Sequence, residues 1–182
     1  MKVLLFSGSL RKESLNKKLV SVIANQLREN KDLEIEIADL KSLSIPVYDG
    51  DVEATGIPDG VKQLGQMITQ ANALIICSPE YNGSMAGPLK NTIDWISRLR
   101  PVPLEKKPVL LTGASPGGLG AIRGLSHARA PFEAIGSFLF PQTFGLAKAH
   151  EAFGADGNLL DVGTNKRLVD LLKNFQDFAR KF

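Results

Sequence analysis

Short apolar runs alternate with stretches in which apolar residues recur every three or four positions, and the alternation runs through most of the chain. The runs at 3–6, 33–38, 73–77, 108–112 and 137–140 read as strands, being short, rich in Val, Ile, Leu or Phe, and bounded by polar or turn-forming residues. Between and after them, Leu15, Leu19, Ile23 and Leu27, then Val61, Leu64 and Ile68, then Leu89, Ile93 and Ile96, then Leu125, Phe132 and Ile135, and last Leu168, Leu171, Leu172, Phe175 and Phe182 fall at helical spacing. The pattern predicts five strands and five helices, arranged as βα units around a mainly parallel sheet in a single domain spanning residues 1–182. The runs 3–6, 73–77 and 109–111 are apolar throughout and read as strands buried on both faces, whereas Leu33-Glu34-Ile35-Glu36-Ile37 alternates and belongs at an edge.

With the second strand at an edge, the economical arrangement is a five-stranded parallel sheet in the order 2-1-3-4-5, the flavodoxin-like three-layer α/β sandwich, whose ligand crevice lies between strands 1 and 3. Polar loops follow those same two strands. After the first come Ser7, Gly8 and Ser9, then Arg11, Ser14 and Asn16 at the opening of a helix. Free backbone N–H groups and the positive helix end converge there, Arg11 offers a planar fork of donors, and Ser9, Ser14 and Asn16 add neutral ones, so the loop suits a phosphate. The competing reading is that Ser14 only caps the helix and Arg11 is solvated. After the third strand, Ser78-Pro79-Glu80-Tyr81-Asn82-Gly83-Ser84 has a stiff Pro79, a Gly83 without a side chain, and amides between them able to face a flat heterocycle. Glu80 reads either as an acid of the site or as a solvated loop residue, and Tyr81 either as a lining group or as a partly buried anchor.

Composition removes other classes. A net charge of +3 spread over 22 basic and 19 acidic residues, without a contiguous basic run, gives no sign of a nucleic-acid partner. One cysteine excludes an internal disulfide and a cysteine-based metal cluster, and no apolar run approaches the roughly 20 residues of a membrane span. The start of the chain passes into a polar turn before a signal-peptide core could form, so a cytoplasmic location is expected. Gly113-Ala114-Ser115-Pro116-Gly117 matches a nucleophile elbow, but the residue after that serine must donate an N–H to an oxyanion, and Pro116 has none. The segment 112–120 also follows the fourth strand rather than the first, against a dinucleotide fingerprint, and reads as a flexible Gly-rich rim with Ser115 as a neutral donor. His127 and His150 lack partners at metal spacing, and no metal is expected. Cys77 reads as a small apolar residue at a strand end.

Taken together, Gly8-Ser9-Leu10-Arg11-Lys12-Glu13-Ser14-Leu15-Asn16, Ser78-Pro79-Glu80-Tyr81-Asn82-Gly83-Ser84 and Gly87-Pro88-Leu89-Lys90-Asn91-Thr92-Ile93-Asp94-Trp95 resemble the NAD(P)H-dependent FMN reductase family, in particular its bacterial quinone, chromate and azo-dye reductases. The resemblance covers residues 3 to about 125. It implies that Ser9, Arg11, Ser14, Leu15 and Asn16 hold the phosphate of non-covalently bound FMN, that Pro79, Glu80, Tyr81, Asn82 and Gly83 line the isoalloxazine, and that Ser115 approaches the ring. It further implies hydride transfer from NADPH or NADH through FMN to a small acceptor, a quinone or similar, with no catalytic acid, base or nucleophile assigned. The rival of the same fold is a flavodoxin-type electron carrier without NAD(P)H oxidation, typically acidic as this chain is not. A phospho-receiver would need acids where Phe6-Ser7 and Cys77-Ser78 stand.

The resembling reductases close their flavin site across a homo-dimer or homo-tetramer interface, and one is expected here. Trp95, Ile96 and Leu99 occupy more than one helical face, more apolar surface than docking on the sheet requires, and Arg123 reads as solvated or as a pair for an acid of a partner subunit.

Overall fold

The computed structural model describes all residues 1–182. In chain order its elements are β1 (Lys2–Ser7), α1 (Leu15–Arg28), β2 (Glu34–Ala38), α2 (Gly50–Thr55), α3 (Asp59–Gln70), β3 (Ala73–Cys77), β4 (Glu80–Tyr81), β5 (Ser84–Met85), α4 (Gly87–Ile96), β6 (Pro108–Ala114), α5 (Ile122–Ala134), β7 (Phe138–Leu139), β8 (Phe144–Leu146) and α6 (Val162–Ala179). The main sheet is parallel and runs β2-β1-β3-β6-β7, with β8 also on β6, which is the 2-1-3-4-5 order. β2, with its alternating sequence, is an edge strand as expected.

Strand alternation sends side chains to both faces and so builds two cores. On one face Val3, Leu5, Ile75, Cys77 and Leu110 pack against α1 and α6. On the other, Leu4, Phe6, Leu74, Ile76, Val109 and Leu111 pack against α3, α4 and α5. Every residue of β3 and β6 is buried, which places the carboxyl ends of two dry strands beneath the loops that follow them.

Three local features differ from the sequence reading. The fifth strand is split: β7 pairs with the start of β6, the chain swings out at Pro141, and β8 rejoins β6 at Thr112–Ala114. Proline has no N–H for the ladder, so pairing pauses there and resumes in a register shifted by two residues. A short sixth helix, α2, starts at an Asp49 cap whose side chain accepts from the Asp51 N–H. The apolar surface of α4 is covered within the chain. Trp95 and Ile96 are fully buried, the Trp95 indole N–H donates to the Pro46 carbonyl at 2.8 Å, and Tyr48 packs edge-on against the Trp95 ring. Asn91 fixes the same segment, donating to the Pro46 carbonyl and accepting from the Tyr48 N–H. Surplus apolar area on this helix therefore gives no motive for association.

Candidate functional site

The first loop leaves β1 tied to its neighbour, since the Gly8 N–H donates to the Cys77 carbonyl at 2.9 Å. A Cβ on Gly8 would lie 3.0 Å from the Leu89 Cβ and 3.3 Å from the Ser78 Oγ, so a side chain would push the first loop off the third strand's loop. Beyond it the chain curls on its own side chains: the Ser9 N–H donates to Ser7 Oγ at 3.2 Å and the Arg11 N–H to Ser9 Oγ at 3.4 Å. Ser14 is the N-cap of α1, its Oγ accepting from the Asn16 and Lys17 N–H groups. The N–H groups of Leu10, Lys12, Glu13 and Ser14 have no acceptor in the chain, and Leu15 opens the helix at its positive end. Arg11 is exposed beside them and makes no ion pair.

Asn16 has a task its sequence position did not suggest. Its side chain is buried; Nδ2 donates to the Ala114 carbonyl at 2.9 Å and Oδ1 accepts the Ala114 N–H at 2.8 Å. This two-point clamp joins the start of α1 to the end of β6 and holds the first and third loops over one floor. One Nδ2 hydrogen remains free.

Residues 80–85 form a two-stranded antiparallel hairpin rather than an open loop. Asn82 and Gly83 turn it, with φ of 50° and 75°, the doubly left-handed geometry that matches the twist of the flanking strands and that Asn-Gly adopts most readily. Their N–H groups have no acceptor in the chain, and Tyr81 is 45% exposed at the tip, while Pro79 is buried at the base. Glu80 is neither a solvated residue nor a free acid. Its side chain is 8% exposed; Oε1 accepts from Arg123 Nε at 2.7 Å and Nη2 at 2.5 Å, and Oε2 accepts from the N–H groups of Arg123 and Gly124, both at 3.1 Å. Burial pushes its pKa up, but the Arg123 guanidinium and the helix amides outweigh that and hold it below the ordinary glutamate value. Arg123 thus pairs with an acid of its own chain.

The third loop, residues 115–121, is exposed from Pro116 to Leu119 and then turns into α5 through left-handed Gly120 and Ala121, with φ of 59° and 68°. A Cβ on Gly120 would sit 2.7 Å from the Gly145 carbonyl carbon, so glycine is what lets the rim cross β8. The N–H groups of Gly118, Leu119 and Gly120 have no acceptor in the chain. Ser115 Oγ accepts from the Gly117 N–H at 3.2 Å and has no histidine or carboxylate partner, which removes a nucleophile's activation. His127 Nδ1 lies 3.2 Å from Ser84 Oγ, and His150 pairs with Glu151. Burial pushes the Cys77 thiol up to about 12, against a smaller opposing effect of its hydrogen bond with Thr112, so it stays protonated and inert.

The three loops lie at the carboxyl ends of β1, β3 and β6, neighbours in the sheet, so the sequence-predicted residues come together on one edge. Ser9, Arg11, Ser14, Leu15 and Asn16 gather at the α1 end, Pro79 to Gly83 form the middle wall, and Ser115 stands at the base of the rim. The donor set is of N–H groups and one guanidinium, which fits an anionic group joined to a flat ring with acceptors along its edge. Sequence reasoning missed the hairpin, which the Asn82-Gly83 pair signals, and missed Gly124. A Cβ on Gly124 would lie 2.9 Å from the Ser84 carbonyl oxygen and 3.1 Å from the Glu80 Cα.

Residues 1–151 match the family described as NADPH-dependent FMN reductase. An NAD(P)H-dependent FMN reductase of Pseudomonas aeruginosa is 37% identical, covering 100% of this chain and 96% of that protein. A quinone reductase of Escherichia coli K12 is 35% identical, covering 100% and 96%. Among solved structures, FerB, a flavoenzyme NAD(P)H:(acceptor) oxidoreductase of Paracoccus denitrificans, superposes with a TM-score of 0.84 at 31% identity, over 99% of this chain and 97% of that one.

Proposed function

The chain belongs to the NADPH-dependent FMN reductase family, and from that premise we propose that residues 1–182 are one FMN-binding domain whose three carboxyl-edge loops hold the flavin. The protein is an FMN-dependent oxidoreductase that takes hydride from NAD(P)H and passes it to a quinone or similar small acceptor. The observation that carries the site assignment is the set of N–H groups without acceptors at Leu10 and Lys12–Ser14, at Asn82–Gly83 and at Gly118–Gly120, all on one edge. FMN supplies the hydride chemistry, and the protein supplies binding, orientation and fixed dipoles. Arg11, the Ser9 and Ser14 hydroxyls, the Leu15 N–H and the free Nδ2 hydrogen of Asn16 bind the phosphate. The Pro79–Gly83 segment lines the ring, with the Asn82 and Gly83 amides aimed at its acceptor edge and Tyr81 at the mouth. Ser115 donates from the rim. No side chain acts as acid, base or nucleophile.

A quinone is the acceptor we favour, since relatives named for quinone reduction align over nearly their whole length, with flavins, azo dyes and chromate as the other acceptors to assay. We further propose a homo-dimer or homo-tetramer. What supports it is a groove of about 470 Å³ beside the phosphate loop, walled by Leu10, Leu40, Ile45, Val47 and Pro88, in which Val47 is 81% exposed. No helix is long and apolar enough to cross a membrane, and we place the chain in the cytoplasm, where reduced nicotinamide nucleotides are available. The test is steady-state NADPH and NADH consumption with a benzoquinone by FMN-loaded and flavin-stripped protein. Turnover only in the loaded sample is expected; equal turnover in both contradicts an FMN-dependent reaction.

A further inference from the structure

Glu80 lies in the wall that lines the flavin in the reading above, yet its carboxylate is taken up by α5. Its four contacts all go to the first turn of α5: the Arg123 guanidinium through Nε and Nη2, and the Arg123 and Gly124 N–H groups. A carboxylate at a helix N-terminus meets both orphan amides and the positive dipole end, so the arrangement is favourable on three counts. Two further features fasten the hairpin to the same helix. Gly124 has no side chain where the Ser84 carbonyl and Glu80 Cα press in, and His127, one turn on, reaches Ser84 Oγ. Upstream of α5 the same chain is the rim, residues 115–121, kinked through Gly120 and Ala121 directly into the helix.

We propose that Glu80 is a positioning residue for flavin binding: its clasp on α5 makes the 80–85 hairpin and the 115–121 rim one rigid jaw, so the ring-facing amides of both loops are held at a fixed spacing. The inference rests on the FMN reading and names what orders that site before the ligand arrives. The gain is pre-organisation, since a hairpin of two residue pairs has no independent stability and would otherwise be ordered at the expense of binding. The clasp bears on the ring wall, and none of its contacts reaches the phosphate loop, whose own tie, Asn16 to Ala114, is made at the end of β6 below the rim.

That separation gives the test. Apoprotein is titrated with FMN and with riboflavin, which shares the ring and lacks the phosphate, at a temperature where circular dichroism shows wild type and variants fully folded. In Glu80→Gln the new NH₂ group must face either the guanidinium or the two backbone N–H groups, so one side of the clasp is lost. In Gly124→Ala the carboxylate stays and the hairpin is wedged off the helix. Both variants are expected to lose affinity for FMN and riboflavin by the same factor, about 2- to 30-fold, the size usual for coupling through a packed network. Amide exchange in ligand-free protein should lose protection at 80–85 and 119–124 together, with β1 and β3 unchanged. Variants that melt earlier but bind both flavins like wild type would make the clasp a mere brace and overturn the proposal, as would a loss confined to FMN. A wild type that takes up neither flavin would defeat the FMN reading itself, an outcome read before any variant is made.

Discussion

The two edges of the sheet treat their backbone groups in opposite ways. At the amino edge the chain is closed on itself: the Met1 ammonium donates to the Asp32 carbonyl, the Lys2 N–H to Asn72 Oδ1, the Asn72 N–H to the Lys2 carbonyl, the Phe138 N–H to the Lys107 carbonyl, and the Lys107 ammonium to the Ala71 carbonyl. At the carboxyl edge the polar side chains hold the loops in shape and leave a row of N–H groups without acceptors. Both edges cap the same dry strands, so burial alone does not separate them. The difference lies in whether the polar groups are used within the chain or offered outward, and an amide held in place without a partner is a binding group.

The sharpest way to break this comparison is to remove the clamp that shapes the carboxyl edge. Asn16→Ala leaves the Ala114 N–H and carbonyl buried without partners, and should lower stability by about 2–6 kcal/mol, the sum of two such losses, measured by urea unfolding. A cost under about 1 kcal/mol would mean water replaces the amide and the clamp is incidental.

Arg11→Ala should do the reverse, leaving the unfolding midpoint unchanged and weakening FMN binding by about 1.5–3 kcal/mol, the range for hydrogen bonds to a charged group. Riboflavin should bind wild type and this variant alike. Asn72→Ala probes the amino edge: a loss of about 0.5–1.5 kcal/mol in stability, with FMN affinity untouched, is expected for an exposed hydrogen bond. An effect of Asn72→Ala on FMN affinity would show that the two edges are not independent.

The smallest effect at neutral pH concerns Glu80. Its pKa in the folded chain lies below its ordinary value of 4.5, so its clasp is fully present above that value and is lost as pH falls through the lower folded one. Affinity for riboflavin, which lacks the phosphate that itself titrates near about pH 6, should therefore be flat from about pH 7 to about pH 5 and fall below the ordinary carboxylate range. Glu80→Gln should lack the Glu80-specific part of that fall, which a difference titration isolates. Identical profiles for the two proteins would show that this carboxylate does not govern the acid limb.

What was legible in the sequence follows the range of the interactions. Strand identity and order could be read because burial on both faces leaves uniformly apolar runs, and the alternating 33–38 segment marks an edge by itself. The polar loops at the carboxyl edge could be placed because they follow those runs directly. The hairpin has one local sign, Asn82-Gly83, and its strands of two residues each are too short to show a periodicity. The split fifth strand hinged on Pro141, whose effect on pairing shows only once a partner strand is in place. Contacts between distant residues could not be read at all: Asn16 with Ala114 spans 98 positions and Glu80 with Arg123 spans 43, and neither pair has a local signature. The same limit made Trp95 look like surplus apolar surface, because its cover at Pro46 and Tyr48 comes from a segment without strong pattern.

The most direct test of the account is the visible spectrum of FMN-loaded protein kept free of oxygen. On addition of NADPH or NADH the flavin bands should bleach, and a benzoquinone added afterwards should restore them with the protein as the only catalyst. Bands that persist under excess of both nucleotides would contradict an NAD(P)H-dependent flavin enzyme and leave only the electron-carrier reading of the fold.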